Sequence, residues 1–301
     1  MKNRNPQTSK KHVKTPRWFS PNRFFSTLRI ASGGALLSAA VAMGLMAVLT
    51  GPSIATADDP SHAVHYYLSL GDSLAASSQP NGDVTHGYAE QLYASLKATD
   101  PKLELVKLGC GGETTASMIF QNPCGYPHGS QLAEAVSFLH AHRRFVSLVT
   151  IDIGGNDVLL CVLNGDQSCL DAALTPMITN LATILSVLRE AAGPDVPVVG
   201  MNYYDPFLAF WVFGDPGAAQ LSEQMVVQFN GVLGSVYGAA GDPVADVETA
   251  FSTTDFTPQP DGLPLNVERI CEWTWICSIG DPDLNTAGYG VVAQTFEQVL
   301  P

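Results

Sequence analysis

Residues 58–301 predict an α/β fold: a three-layer α/β/α sandwich around a parallel sheet of about five strands. Short apolar, strand-like runs alternate with amphipathic helical stretches at βαβ spacing. Two of the runs, Phe145–Gly154 and Asp195–Asp205, are almost continuously apolar, as strands covered on both faces must be. Several runs end in Gly, Asp or Asn turns, and ligands of such sheets sit beyond the carboxyl ends of the strands.

The first strand is expected at Ala63–Gly71, ending in a Gly-Asp-Ser turn. A helix follows at Gly87–Lys97, where Leu92 and Leu96 are four apart, and a second strand at Leu103–Gly109. Ser130–Arg143 places Leu132, Val136 and Leu139 on one helical face. Between the two apolar strands, Leu170–Ala192 has a long helical pattern. Gln220–Ala240 is another helix, Asp242–Phe251 reads as the last strand, and Asn285–Leu300 as the last helix.

The two ends of the chain differ in kind. Residues 1–29 carry eight of the fifteen Lys and Arg and no acid, and an uncharged run, Ile30–Leu49, follows. With Ala55-Thr56-Ala57 before Asp58, this is the pattern of a signal peptide spanning residues 1–57 with a long basic lead. An uncleaved anchor is the rival, since the run is long enough to span a bilayer. Its Gly, Ala and Ser content and the Ala-x-Ala site favour cleavage. Neither a twin-Arg pair nor a Cys near Ala57 points to another export route or a lipid anchor.

Residues 58–301 then form one exported domain with no stable membrane span, expected as a monomer. They hold seven Lys and Arg against all twenty-eight Asp and Glu, a net charge of −21. That charge repels nucleic-acid phosphates and anionic membranes. All six cysteines lie here, and an even number in an exported chain reads as disulfides, with fifteen possible pairings. They fall into three close pairs: Cys110 with Cys124, Cys161 with Cys169 and Cys271 with Cys277. Zinc is a poor alternative, because no Cys-x-x-Cys occurs and few histidines are near.

Three strand ends carry the chemistry. Asp72 and Ser73 follow the first strand, Gly111 and Gly112 the second, and Gly154, Gly155, Asn156 and Asp157 the third. Singly, each is an ordinary turn or a helix cap. Together they describe an acyl-transfer site with Ser73 as nucleophile. The N–H groups of Ser73 and Gly112 and the amide of Asn156 would form the oxyanion hole.

The motifs GDSLAA, LGCGGETTASMI, CGYPHGSQLAEAVSFL, VTIDIGGNDV and CEWTWIC resemble the SGNH hydrolases, or GDSL esterases and lipases, of the secreted actinobacterial type. The resemblance runs along nearly all of residues 58–301. It implies a flavodoxin-like sheet, ester hydrolysis through an acyl-enzyme on Ser73, a small ester or lipid substrate, three local disulfides and no cofactor or metal. No Gly-x-Ser-x-Gly elbow supports the α/β-hydrolase alternative.

The fourth block of that family carries a histidine, commonly in a frame like Asp-Val-His-Pro-Asn-Thr-Ala-Gly-Tyr. Here the frame reads DPDLNTAGY, so Asp281 is retained and Asp283 stands where the histidine belongs; a slip of one residue would put Leu284 there. No histidine follows His142. An aspartate with an ordinary pKa of about 3.9 is a weak base for a serine hydroxyl at neutral pH.

Three readings follow: a crippled enzyme, an active one with a substituted base, or an inactive protein that binds lipid or glycan. The base would be Asp283, raised by burial and by Asp281, or a histidine swinging in, with His86 or His128 better placed than His140 or His142. Trp273 and Trp275 would wall a binding cleft or pack around Cys271 and Cys277. A metal held by Asp72, Asp281 and Asp283 is weakly supported without a histidine.

Overall fold

The structure is a computed structural model that describes residues 64–300; the expected signal segment, its cleavage site, His12 and His62 lie outside the described residues. Five strands form one sheet in the order β2-β1-β3-β4-β5, with every neighbouring pair parallel. They are β1 (His65–Gly71), β2 (Leu103–Lys107), β3 (Val146–Asp152), β4 (Val198–Met201) and β5 (Val244–Ala245). Central β1 and β3 pair from Tyr66↔Val146 to Gly71↔Asp152, so Asp72 and Ile153 leave the sheet side by side. Their side chains are nearly all buried, which is why these segments lack the polar alternation of a one-sided sheet.

The helices cover both faces. On one, α1 (Tyr88–Lys97) packs against the last helix, α10 (Thr286–Glu297), with Tyr88 and Phe296 stacked at 5.0 Å. On the other, α3 (Gln131–His142), α5 (Gln167–Ala192) and α6 (Pro216–Ala240) pack in series. Between β2 and α3 lies α2 (Thr115–Phe120), and α4 (Gly155–Leu163) leads from β3 into α5. Side chains start the helices where the sequence supplies them: Ser130 caps α3, Asp166 caps α5, and Asp215 with Pro216 opens α6. Helix α5 is long and apolar enough to cross a bilayer, and its stripe of Leu170, Leu174, Met177, Leu181, Leu185 and Leu188 is buried.

The strand expected over Asp242–Phe251 is a correction. Only Val244–Ala245 pairs with β4, and a single helical turn, α7 (Val247–Ala250), follows. Asp246 is responsible, because its carboxylate accepts the Thr249 N–H and the Asn202 amide and so caps a helix instead of extending the strand. The last helix ends at Glu297 and the Leu170 helix begins three residues early, at Gln167. Two short helices, α8 (Leu265–Trp273) and α9 (Ile276–Ile279), lead to the fourth block.

All three short-range cysteine pairs are bonded: Cys110–Cys124, Cys161–Cys169 and Cys271–Cys277. The first closes the loop between β2 and the segment after α2, the second ties α4 to α5, and the third ties α8 to α9.

Candidate active site

Ser73 lies two residues beyond Gly71, the end of β1, in a turn closed by backbone bonds from Ala76 to Asp72 at 3.0 Å and from Ser78 to Ser73 at 2.9 Å. Its Oγ donates to Asp283 Oδ1 at 2.9 Å, across 210 residues of sequence. Of the two fourth-block candidates, Asp283 is therefore the one that meets Ser73. Leu284, the alternative, is fully buried in the core and takes no part.

Several local bonds fix the loop that carries Asp283. Thr274 and Leu284 form an antiparallel bridge, the Trp275 N–H donates to the Asp283 carbonyl at 3.1 Å, and the Asn285 N–H to the Trp273 carbonyl at 3.0 Å. Asn285 then caps α10 by accepting the N–H groups of Ala287 and Gly288, each at 3.0 Å. Gly288 allows α10 to lie against α8, because a Cβ there would come within 2.2 Å of the Trp273 carbonyl oxygen. Tyr204 holds the same loop from β4 by donating to the Pro282 carbonyl at 2.8 Å, and Tyr289 of α10 donates to Ser78 O at 2.9 Å.

Burial first, and then the neighbouring Asp281 carboxylate, push the Asp283 carboxyl up to about 7; the hydrogen bond from Ser73 opposes the shift and Asp72 adds to it. Asp281 is locked beside it, its Oδ1 accepting the Asp283 N–H at 2.9 Å. A carboxyl at about 7 has the basicity of an ordinary imidazole, about 6.5.

No imidazole replaces it among the described residues. His86 is exposed and bonded to Asp83 at 2.7 Å, and His128 is bonded to Glu134 at 2.7 Å and to Ser137 at 3.1 Å. His142 packs on Tyr66 and Phe138, and His65 pairs with Asp100. Among the described residues the side chain bonded to Ser73 Oγ is that of Asp283, and His65, His86, His128 and His142 have the partners just named.

Gly112 follows β2 with φ +77°, a left-handed conformation that strains any residue with a Cβ. Among the described residues, the N–H groups of Ser73 and Gly112 donate to no protein acceptor. Asn156 lies in the first turn of α4, whose cap position is Gly154, so the Asn-Asp pair is not the cap itself. Its Nδ2 donates to the Glu113 carbonyl at 3.0 Å, which leaves a second amide N–H. Asp157 accepts the Thr115 N–H at 2.9 Å and its hydroxyl at 2.6 Å, joining α4 to the helix that follows Gly112.

Several residues beneath the site escaped the sequence reading. Gln131 of α3 bonds both the N–H and the carbonyl of Gly71, at 2.7 and 2.9 Å, and reaches Glu113 at 3.2 Å. Asp152, at the end of β3, is fully buried. A lone carboxylate inside the apolar run VTIDIG was its signal, since acids are almost never buried unpaired. Trp273 packs edge-on against Phe251 at 5.0 Å and under Arg269 at 5.2 Å, so it is scaffold for the fourth block.

The profile of the GDSL-like lipase/acylhydrolase family matches residues 69–266, more than half of the chain. No curated protein matches it. Among solved structures, a lipase from a goat rumen metagenome is 17% identical over 78% of this chain and 97% of that one, with a TM-score of 0.53. The extracellular lipase of Streptomyces rimosus is 17% identical over 79% and 100% of the two chains, with a TM-score of 0.51. At that identity the likeness is one of fold. The sheet order, the Gly-Asp-Ser turn and the profile match agree, and the chain belongs to the GDSL-like lipase/acylhydrolase family.

Proposed function

We propose that this protein is a secreted serine esterase that hydrolyses carboxylic esters through an acyl-enzyme on Ser73, with Asp283 in place of histidine as the general base. The observation that carries the reading is the 2.9 Å hydrogen bond from Ser73 Oγ to a carboxylate lifted to about 7. A base must be near the operating pH and within hydrogen-bond reach of the proton that it takes, and Asp283 meets both conditions.

Asp283 accepts the Ser73 proton as Oγ attacks the ester carbonyl. Negative charge then develops on the carbonyl oxygen, where the N–H groups of Ser73 and Gly112 and the amide of Asn156 stabilise it. The protonated Asp283 returns its proton to the departing alkoxide. Water then attacks the acyl-enzyme, with Asp283 again taking the proton, and the free acid and Ser73 are restored. Asp281 keeps the base basic, and the acidic surface favours neutral esters or lipids over anionic ones.

Export through cleavage after Ala57 completes the reading. Three disulfides fit an oxidising compartment, where such bonds form and persist. The rival, a protein that binds lipid or glycan without cleaving it, is favoured by the lack of an imidazole at Ser73 among the described residues.

One assay separates the two: hydrolysis of p-nitrophenyl acetate by wild type and by Ser73→Ala, from pH 5 to pH 9. The proposal expects turnover that rises through about pH 7 and disappears in Ser73→Ala. Equal rates for the two proteins across that range would leave the binding protein.

A further inference from the structure

Behind Ser73 two acids meet that the proposed chemistry does not use. Asp72 is 3% exposed and Asp152 is fully buried, and the two carboxyls are hydrogen-bonded to each other. Neither takes part in the ion pairs of the described residues. The charge that reaches them from outside the pair is also acidic, that of Asp157 on Asp72. Two buried carboxylates side by side, with no cation paired to either among the described residues, cannot both ionise, so one proton stays on the pair.

The pair grips the nucleophile turn on both sides of Ser73. Asp152 Oδ2 accepts the N–H of Asp72 at 3.1 Å and that of Ala75 at 3.3 Å, while Asp72 Oδ1 accepts the N–H of Leu74 at 3.0 Å. Two tyrosines complete the cluster. Tyr88 of α1 donates to Asp152 Oδ1 at 2.5 Å, and Tyr203, after β4, donates to Asp72 Oδ2 at 3.0 Å. The N–H groups of Asp72, Leu74 and Ala75, the three beside Ser73, are thereby occupied, and the Ser73 N–H is left over.

We propose that Asp72 and Asp152 share one proton, and that this carboxyl pair is the positioning element that holds Ser73 in line with Asp283. The proposal rests on the esterase reading for its kinetic consequence but not for the proton itself. Burial holds Asp152 in the acid form far above the ordinary carboxyl range, and its bond to Asp72 reinforces this; the Tyr88 hydroxyl works against it. Desolvation likewise raises Asp72, against the bonds from Asp152, Leu74 and Tyr203. Replacing either acid by its amide keeps the pair's single negative charge. Asn at 152 can accept the two turn N–H groups with its carbonyl and give its amide to the Tyr88 hydroxyl. Leu at 152 can do neither.

The test combines an infrared measurement with kinetics. Wild type at pH 8 is expected to show the carbonyl stretch of a protonated, buried carboxylic acid, absent from both Asp152→Asn and Asp72→Asn. With p-nitrophenyl acetate, Asp152→Asn keeps most of the wild-type kcat. Asp152→Leu, if folded by circular dichroism, loses roughly 10²-fold in kcat with KM little changed, the usual effect of misplacing a reacting group by about 1 Å. A wild-type spectrum without the acid band overturns the shared proton, and a folded Asp152→Leu with wild-type kcat overturns the positioning role. Should Asp152→Leu fail to fold, a loss of kcat in Asp152→Asn comparable to that of Ser73→Ala would also overturn it. If wild type has no Ser73-dependent turnover, the esterase reading fails on its own and the infrared band still decides whether the proton is shared.

Discussion

Ser73 Oγ and Asp283 Oδ1 are 2.9 Å apart, so the serine of the Gly-Asp-Ser turn is bonded to the residue that stands where the fourth-block frame has its histidine. Asp281 stands two residues before it, where the D-x-H frame has its acid.

Substitutions at Asp283 should run in both directions. Asp283→Asn keeps the shape and removes the base, and kcat is expected to fall by about 10²–10⁴-fold, the range over which general bases act. Asp283→His should raise kcat/KM at pH 7 by about tenfold or more, because the Asp281 and Asp72 charges that disfavour a carboxylate favour an imidazolium. The gain must vanish in the double variant with Ser73→Ala. A p-nitrophenyl acetate assay checks all three, and no gain from histidine would refute the placing of the fourth block.

The pH profile reports the same group. Asp283 acts as a base only when ionised, so activity is absent well below about pH 7 and rises through it. Asp281→Asn removes the second largest cause of the elevation, and the midpoint should move to lower pH. An unmoved midpoint, measured as kcat/KM against pH, would show that Asp281 does not tune the base.

Stability carries the opposite sign. Asp283 binds its proton more tightly folded than unfolded, so its contribution is full below about pH 4 and is lost as pH rises through about 7. Asp283→Asn should therefore be more stable than wild type at pH 8, on the order of 2 kcal/mol, and no more stable at pH 4. For a domain of this size that is a rise of roughly 4–8 °C in Tm at pH 8, measurable by calorimetry.

The oxyanion donors give a separate test. Asn156→Ala is expected to cost about 10²–10³-fold in kcat with KM nearly constant. Loss of KM alone in steady-state kinetics would assign Asn156 to substrate binding.

Much of the fold was legible because its signals are local. The apolar runs of β1, β3 and β4, the caps Ser130 and Asn285, and the three short-range cysteine pairs each depend on residues close in sequence. The Val244–Ala245 strand was overestimated because Asp246 competes for the backbone, a choice decided by its bond to Asn202, 44 residues away. The supports of the site were hidden for the same reason. Tyr203 and Asp72 are 131 residues apart, and Gln131 and Gly71 are 60 apart.

By itself, then, the sequence determined the layer order, the candidate nucleophile Ser73, the oxyanion candidates Gly112 and Asn156, and the missing histidine. Tertiary structure alone decided that Asp283, which the sequence frame puts in its place, meets Ser73 in a buried setting. Basicity is a property of surroundings: desolvation and the charge of Asp281 lift Asp283 to about 7, and neither acts until the chain has folded.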